Sequence, residues 1–192
     1  MDKKLILGSN SPRRQQLMSE AGFSFEVMGL DVDEQYGEMP SLEVAEYLAK
    51  KKNVAYREVL TDEIVVTADT VVIHEDKVLG KPQSEAEAVE MIQSMSGQVH
   101  EVVSAVCISS PETEVSFSDR VRVQMLPLTP EEIQHYVSVY KPMDKAGAYG
   151  IQEWIGLIGV GSISGSFYSV VGLPIHRVYH CLKTEFALSP SF

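Results

Sequence analysis

Lys4-Leu5-Ile6-Leu7-Gly8-Ser9-Asn10-Ser11-Pro12-Arg13-Arg14 joins a short apolar run to a small-residue loop and then to a helix start. Lys4 to Gly8 reads as a strand. Ser11 can cap the following helix, Pro12 suits its first position, and Gly22 stands just past its end. Leu17, Met18 and Ala21 give that helix an inward face. The free N–H groups of a helix start, together with its dipole, favour an anion. Arg13 and Arg14 in the first turn oppose that dipole, and they can fork onto phosphate oxygens. Local physics leaves two readings open, a phosphate-binding loop and a capped helix with solvated arginines.

Beyond this stretch, Phe23 to Met28 reads as a strand and Leu30 to Met39 as an acidic loop. Pro40-Ser41 opens a helix to about Arg57, with Leu42, Ala45, Leu48, Ala49 and Lys52 along one side. Ile64 to Ala68 is a buried strand ending at Asp69, and Val71 to Ile73 continues it or pairs with it. Ser84 with Glu87, and Thr129 with Glu132, form capping boxes for two more helices. Val99 to Ser109 and Val115 to Met125 are long strands, the second alternating cleanly. Pro174 starts a last helix with Ile175, Val178 and Leu182 inward, and residues from about 187 to 192 read as a tail. The order predicts an α/β fold with a mixed sheet, no internal repeats and no Pro/Ser-rich linker between independent domains.

The chain has 192 residues, 44% hydrophobic and 22% charged, enough for a sizeable core without staples. Its net charge of -11 disfavours nonspecific binding to nucleic acid or anionic membranes. The few basic residues, among them Arg13, Arg14, Lys51, Lys52, Lys81 and Lys145, instead stand at element ends beside Ser, Gly and Asp, where a pocket for a polyanion would draw them. Cys107 and Cys181 read as buried free thiols, and no Cys/His spacing suggests zinc. The apolar stretch near Leu5 is too short for a signal peptide. Residues 154 to 175 carry no charge and are long enough to span a bilayer, but nine of the 22 are Gly or Ser, so two buried strands joined at Ser164-Gly165 are expected instead. No P-loop occurs, and Gly159-Val160-Gly161 lies in a strand-like run unsuited to a dinucleotide fingerprint.

Several ordered motifs together carry a resemblance. Ser9-Asn10-Ser11-Pro12-Arg13-Arg14, Ala68-Asp69-Thr70, Lys81-Pro82, Ser96-Gly97-Gln98-Val99-His100, Asp144 through Gln152, and Gly165 through Pro174 stand in the sequence in that order. Across nearly the whole chain this resembles the Maf family of nucleotide pyrophosphatases, and the stretch 144–152 resembles the branch acting on dTTP and UTP. Ser104-Ala105 departs from the family's Thr-Gly, and Glu153-Trp154-Ile155-Gly156 departs from its small-residue run beside the proposed base pocket.

The resemblance implies a Maf or inosine triphosphatase-like fold, an elongated mixed sheet flanked by helices, with two lobes and a central cleft in a single domain over residues 1–192. It also implies a cytoplasmic enzyme, with a homodimer as an expected assembly and no nucleic-acid or membrane partner. The reaction implied is hydrolysis of dTTP, UTP and modified pyrimidine nucleotides to the monophosphate and pyrophosphate, with Mg²⁺ or Mn²⁺. Asp69 is then the proton acceptor, with metal ligation alongside Glu34 as the rival role. Ser9, Arg13, Arg14, Lys52 and Lys81 hold the triphosphate, Lys52 being favoured over Lys51, and Arg13, Thr70 and Gln152 set specificity. The alternative is a nucleotide-binding regulator of cell division or septum formation with little turnover.

Overall fold

The computed structural model describes residues 4–191; Met1 to Lys3, and Phe192 at the end of the expected tail, lie outside the described residues. The hydrogen-bonded strand order is β2-β1-β3-β5-β6-β7 with β4 on β3, a seven-stranded mixed sheet. The chain divides into two compact units: Met1–Asp69 with Ser104–Asp119 and Gly172–Phe192, and Thr70–Val103 with Arg120–Val171. Three strands, β3 (Ile64–His74), β5 (Val99–Ser109) and β6 (Glu114–Met125), pass from one unit into the other. Asp69 is therefore inside an unbroken strand, and Val71 to Ile73 continues that strand.

In the first unit, β1 (Leu5–Leu7) runs parallel to β2 (Glu26–Val27) and to β3, with Leu7 opposite Val27 and Val66. All three β1 residues are buried, as in a parallel strand covered on both faces. The strand expected over 23–28 shrinks to two residues. Helix α1 (Pro12–Glu20) begins at Pro12 and ends before Gly22, whose φ of 84° terminates it. Ser11 makes no side-chain cap; its own N–H donates to Ser9 Oγ at 3.2 Å. After a 3₁₀ turn at Ser41–Glu43, helix α2 (Val44–Arg57) buries Val44, Ala45, Leu48, Ala49, Asn53 and Tyr56, while Leu42 is exposed. Helix α7 (Ile175–Thr184) buries Val178, Cys181 and Leu182. The segment beyond it is tied back by Leu188 N–H to Leu182 O and Ser191 N–H to Gly22 O. Both cysteines are free and buried, and burial pushes the Cys107 thiol up to about 12.

In the second unit, β3 turns into β4 (Lys77–Leu79) through Glu75-Asp76, both at positive φ, as a two-residue hairpin of the type matched to strand twist requires. Helix α3 (Glu85–Met95) has half of its expected capping box: Ser84 Oγ accepts from Glu87 N–H, but the Glu87 carboxylate reaches Gln83 N–H instead of Ser84. Helix α4 (Pro130–Tyr140) has both halves of its box. The stretch read as two buried strands is otherwise: α5 (Trp154–Gly159), β7 (Val160–Ser164) and α6 (Phe167–Val171). Strand β7 pairs antiparallel with β6 and is largely exposed, so its apolar content is low. No helix among the described residues is long and apolar enough to cross a membrane. The core here gathers Ile92, Met95, Val121, Val123, Met125, Tyr136 and Ile155.

His100 lies in this core with its Nε2 2.7 Å from the Tyr149 hydroxyl, while its Nδ1 is buried with no hydrogen-bond partner. Desolvation, with a smaller effect from His74, lowers its pKa from 6.5 to about 4. A histidine depressed in this way stabilises the fold fully above pH 6.5, and that contribution is lost as pH falls toward 4. The loss should reach about 2–3 kcal/mol between pH 7 and 4.5. Urea midpoints of the wild type and His100→Gln over that range should show a shallower decline in the variant.

Candidate active site

The first unit gathers most of the expected residues at the end of β1, at Asp69 within β3 and on α2. Gly8 ends β1 with its N–H on Val66 O, and a Cβ there would meet Thr67 and the Tyr56 ring at 2.9 Å. Only glycine lets the backbone pass so close before it opens into the Ser9 loop. Arg14 holds that loop from behind: its Nε donates to Gly172 O at 2.9 Å, and its Nη1 to Ala68 O at 2.8 Å and Ser9 Oγ at 3.4 Å. Burial lowers the Arg14 pKa from 12.5 and Asp69 opposes that shift, with smaller effects from Arg13 and Glu34. An arginine starting so high remains a cation. Its charge is therefore fixed beside Asp69, and Arg13 stands in the same helical turn.

Asp69 is 8% exposed and meets Lys52, whose Nζ lies 2.5 Å from Asp69 Oδ1 and 2.8 Å from Glu34 Oε1. The neighbouring Lys51 goes elsewhere, to Asp33 and to Gln35 O, and so ties down the acidic loop. Asn53, a residue that sequence reasoning missed, joins the buried stripe of α2 in fixing which lysine faces Asp69. Its Nδ2 donates to Thr67 Oγ1 at 3.3 Å and Cys107 O at 3.1 Å, and its Oδ1 accepts from Ser109 at 2.5 Å. Thr67 Oγ1 also donates to Ala49 O at 2.8 Å. A helix rotation set by a buried amide presents Lys52 on the Asp69 side. The signal was available, since Asn53 follows Ala45 and Ala49 at four-residue spacing on the buried stripe. Tyr56 on the same face orders the approach to the acidic loop, donating to Met28 O and accepting from Leu30 N–H.

Thr70, Lys81 and Gln152 belong to the second unit. Lys81 and Gln152 are exposed on loops, and those loops are joined where Gly147 N–H donates to Gly80 O at 3.0 Å. Gly147 sits at φ 65°, with the Val72 side chain 2.9 Å from where a Cβ would be. Lys145 is buried against Asp144 and Glu153. The Ser96-Gly97-x-x-His100 motif turns out to be scaffolding: Ser96 Oγ accepts from Leu128 N–H, Gly97 N–H donates to Leu126 O, and His100 supports Tyr149 of the 144–152 loop.

The model of the Maf-like protein family matches residues 4–185. The chain belongs to the Maf-like family. Among its relatives, the dTTP/UTP pyrophosphatase of Bacteroides thetaiotaomicron is 50% identical, covering 95% of this chain and 97% of its own. That of Phocaeicola vulgatus is 46% identical over 94% and 95%. Among solved structures, the Ham1 protein of Staphylococcus aureus matches at TM-score 0.48 and 17% identity over 64% of this chain and 72% of that one, too distant to bear on the chemistry.

A divalent cation would find Glu34 and Asp69 as oxygen donors in this Maf-like chain, both already in contact with the Lys52 ammonium. No group of three His, Cys, Asp or Glu side chains among the described residues could hold a metal. Two carboxylates suit Mg²⁺, which is commonly held by one or two of them together with substrate phosphates. The donor set therefore fits a cation arriving with a nucleotide.

Asn53→Ala would leave Ser109, Thr67 and the Cys107 carbonyl without their shared partner. It should lower unfolding stability by about 2–3 kcal/mol. Denaturant titration of the purified variant reads this directly.

Proposed function

We propose that this Maf-like protein hydrolyses dTTP and UTP between the α- and β-phosphates, giving the monophosphate and pyrophosphate, and acts in the cytoplasm, where those nucleotides are made and used. The observation that carries the reading is the Asp69 carboxylate, nearly buried, paired with Lys52 and set beside Arg14. Near full-length similarity to proteins named dTTP/UTP pyrophosphatase supports the same substrates.

The triphosphate is assigned to Ser9, Arg13, Arg14, Lys52 and Lys81. Cationic groups fixed before the reaction stabilise charge that moves onto the leaving pyrophosphate without reorganising. Arg14 contributes from a position its carbonyl partners hold. Lys52 is poised to exchange a carboxylate contact for a phosphate one. Asp69 accepts the proton of the attacking water. Metal ligation is the rival role for Asp69: together with Glu34 it would hold Mg²⁺ or Mn²⁺, which would supply further neutralisation of phosphate charge. Arg13, Thr70 and Gln152 select the nucleotide. The Gln152 carboxamide has a donor and an acceptor, matching the N3–H and carbonyl edge of uracil or thymine. Cytosine presents the reverse pattern there.

The test is pyrophosphate release from dTTP, UTP, CTP, ATP, GTP and modified pyrimidine triphosphates with Mg²⁺ or Mn²⁺. Release from dTTP and UTP is expected. Asp69→Asn should lower it by about 10²–10⁴-fold while nucleotide binding persists. Binding without turnover in the wild type would overturn the reading in favour of a nucleotide-binding regulator. Gln152→Ala should bring the rates for UTP and CTP together; an unchanged preference would remove Gln152 from base selection.

A further inference from the structure

Gln152 is exposed. What surrounds it is tightly built. Glu153 N–H donates to Gly150 O at 3.0 Å, which closes a turn with Gln152 inside it, and Glu153 O accepts from Gly156 N–H at 2.9 Å as α5 begins. The Glu153 carboxylate folds back over this turn. Its Oε2 accepts a short hydrogen bond from the Tyr136 hydroxyl, and its Oε1 lies 3.2 Å from Lys145 Nζ. The Tyr136 hydroxyl in turn accepts from Gly150 N–H at 3.0 Å. Gly150 has no space for a side chain: a Cβ would lie 2.9 Å from Glu153 Cδ and 3.1 Å from Gln152 Nε2. The carboxylate and the Gln152 amide nitrogen thus pack against the same α-carbon.

Tyr136, Lys145 and Glu153 are all far less exposed than Gln152. A buried Lys–Glu pair needs its hydrogen bonds satisfied to be tolerated at all, and here those bonds converge on the turn beside an exposed amide. A carboxamide reads a base edge only where the turn that carries it is held in register with that edge, because a displaced donor–acceptor pair fits neither uracil nor cytosine.

We infer that Glu153, gripped by Tyr136 and Lys145, is a positioning residue that fixes the turn presenting the Gln152 carboxamide and thereby sets the choice of pyrimidine. This rests on the proposed pyrophosphatase reading and adds to it a residue that acts through Gln152. Glu153 touches neither phosphate nor reacting atoms, so its loss acts on base selection and leaves the chemical step alone.

The experiment compares kcat and KM for UTP and CTP in the wild type, Glu153→Ala, Glu153→Gln and Tyr136→Phe, each also in a Gln152→Ala background, with thermal midpoints recorded alongside. Glu153→Ala should lower the UTP-to-CTP ratio of kcat/KM about tenfold, mainly through a higher KM for UTP, as expected when one base-reading hydrogen bond is lost. Glu153→Gln keeps an acceptor for Tyr136 and should restore most of the ratio; Tyr136→Phe should lower it. In the Gln152→Ala background none of these changes should move the ratio further. An unchanged ratio in Glu153→Ala and Tyr136→Phe with a lowered thermal midpoint makes the network a brace for the fold alone and overturns the inference. So does an equal loss in the Gln152→Ala background. If Glu153→Ala does not fold, Tyr136→Phe and Glu153→Gln decide the matter. Absence of UTP turnover in the wild type is a separate result, because it overturns the enzyme reading itself.

Discussion

The amide of Asn53 is buried where α2 meets the sheet, and it bonds to Thr67 on β3 and to Cys107 and Ser109 on β5. A buried carboxamide without partners is costly, so these bonds specify one rotation of α2 about its axis. In a helix each residue advances about 100°, and a different rotation would turn Lys51 or an apolar neighbour toward Asp69. The contact between Lys52 and Asp69, and through it the link to Glu34, therefore depends on a side chain that has no chemistry of its own.

Charge follows a related logic in both units. Across an acidic chain, two cations are withdrawn from water and surrounded. Arg14 is held by the carbonyls of Ala68 and Gly172. Lys145 is held by Asp144 and Glu153. Arg14 braces the Ser9 loop in one unit, and Lys145 braces the turn that carries the exposed Gln152 in the other. Both loops are stiffened from within, which lowers the ordering cost of any group they present.

The sequence already displayed most of this arrangement. Pro12 and Gly22 bracket α1, the box of Thr129 and Glu132 starts α4, and the ordered motifs name the family that the whole-chain match bears out. The inward stripe read on α2 included Lys52, whose ammonium meets Asp69, whereas Lys51 turns to Asp33 and Gln35. What was illegible has physical reasons. Two short helices over 154–171, one of six residues and one of five, complete too few turns for periodicity to register, and the β-branched residues among Gly and Ser imitate strands. Ser96 and His100 stood in one of the ordered motifs, and their partners show a turn and a core contact. Those partners are distant in sequence, so the motif alone could not reveal them. The grip of Tyr136 on Glu153 was hidden for the same reason.

The chain passes between its two units at residues 69, 103, 119 and 171. On a ribosome, where domains form as their sequence emerges at roughly 5–20 residues per second, this order has a consequence. Every residue of the second unit has been synthesised by Val171, whereas the first unit still lacks Gly172 onward, including α7. The carbonyl that takes up Arg14 Nε is thus made 158 residues after the arginine it serves. The nascent protein carries its Ser9 loop through the synthesis of those 158 residues before Arg14 can be fully held.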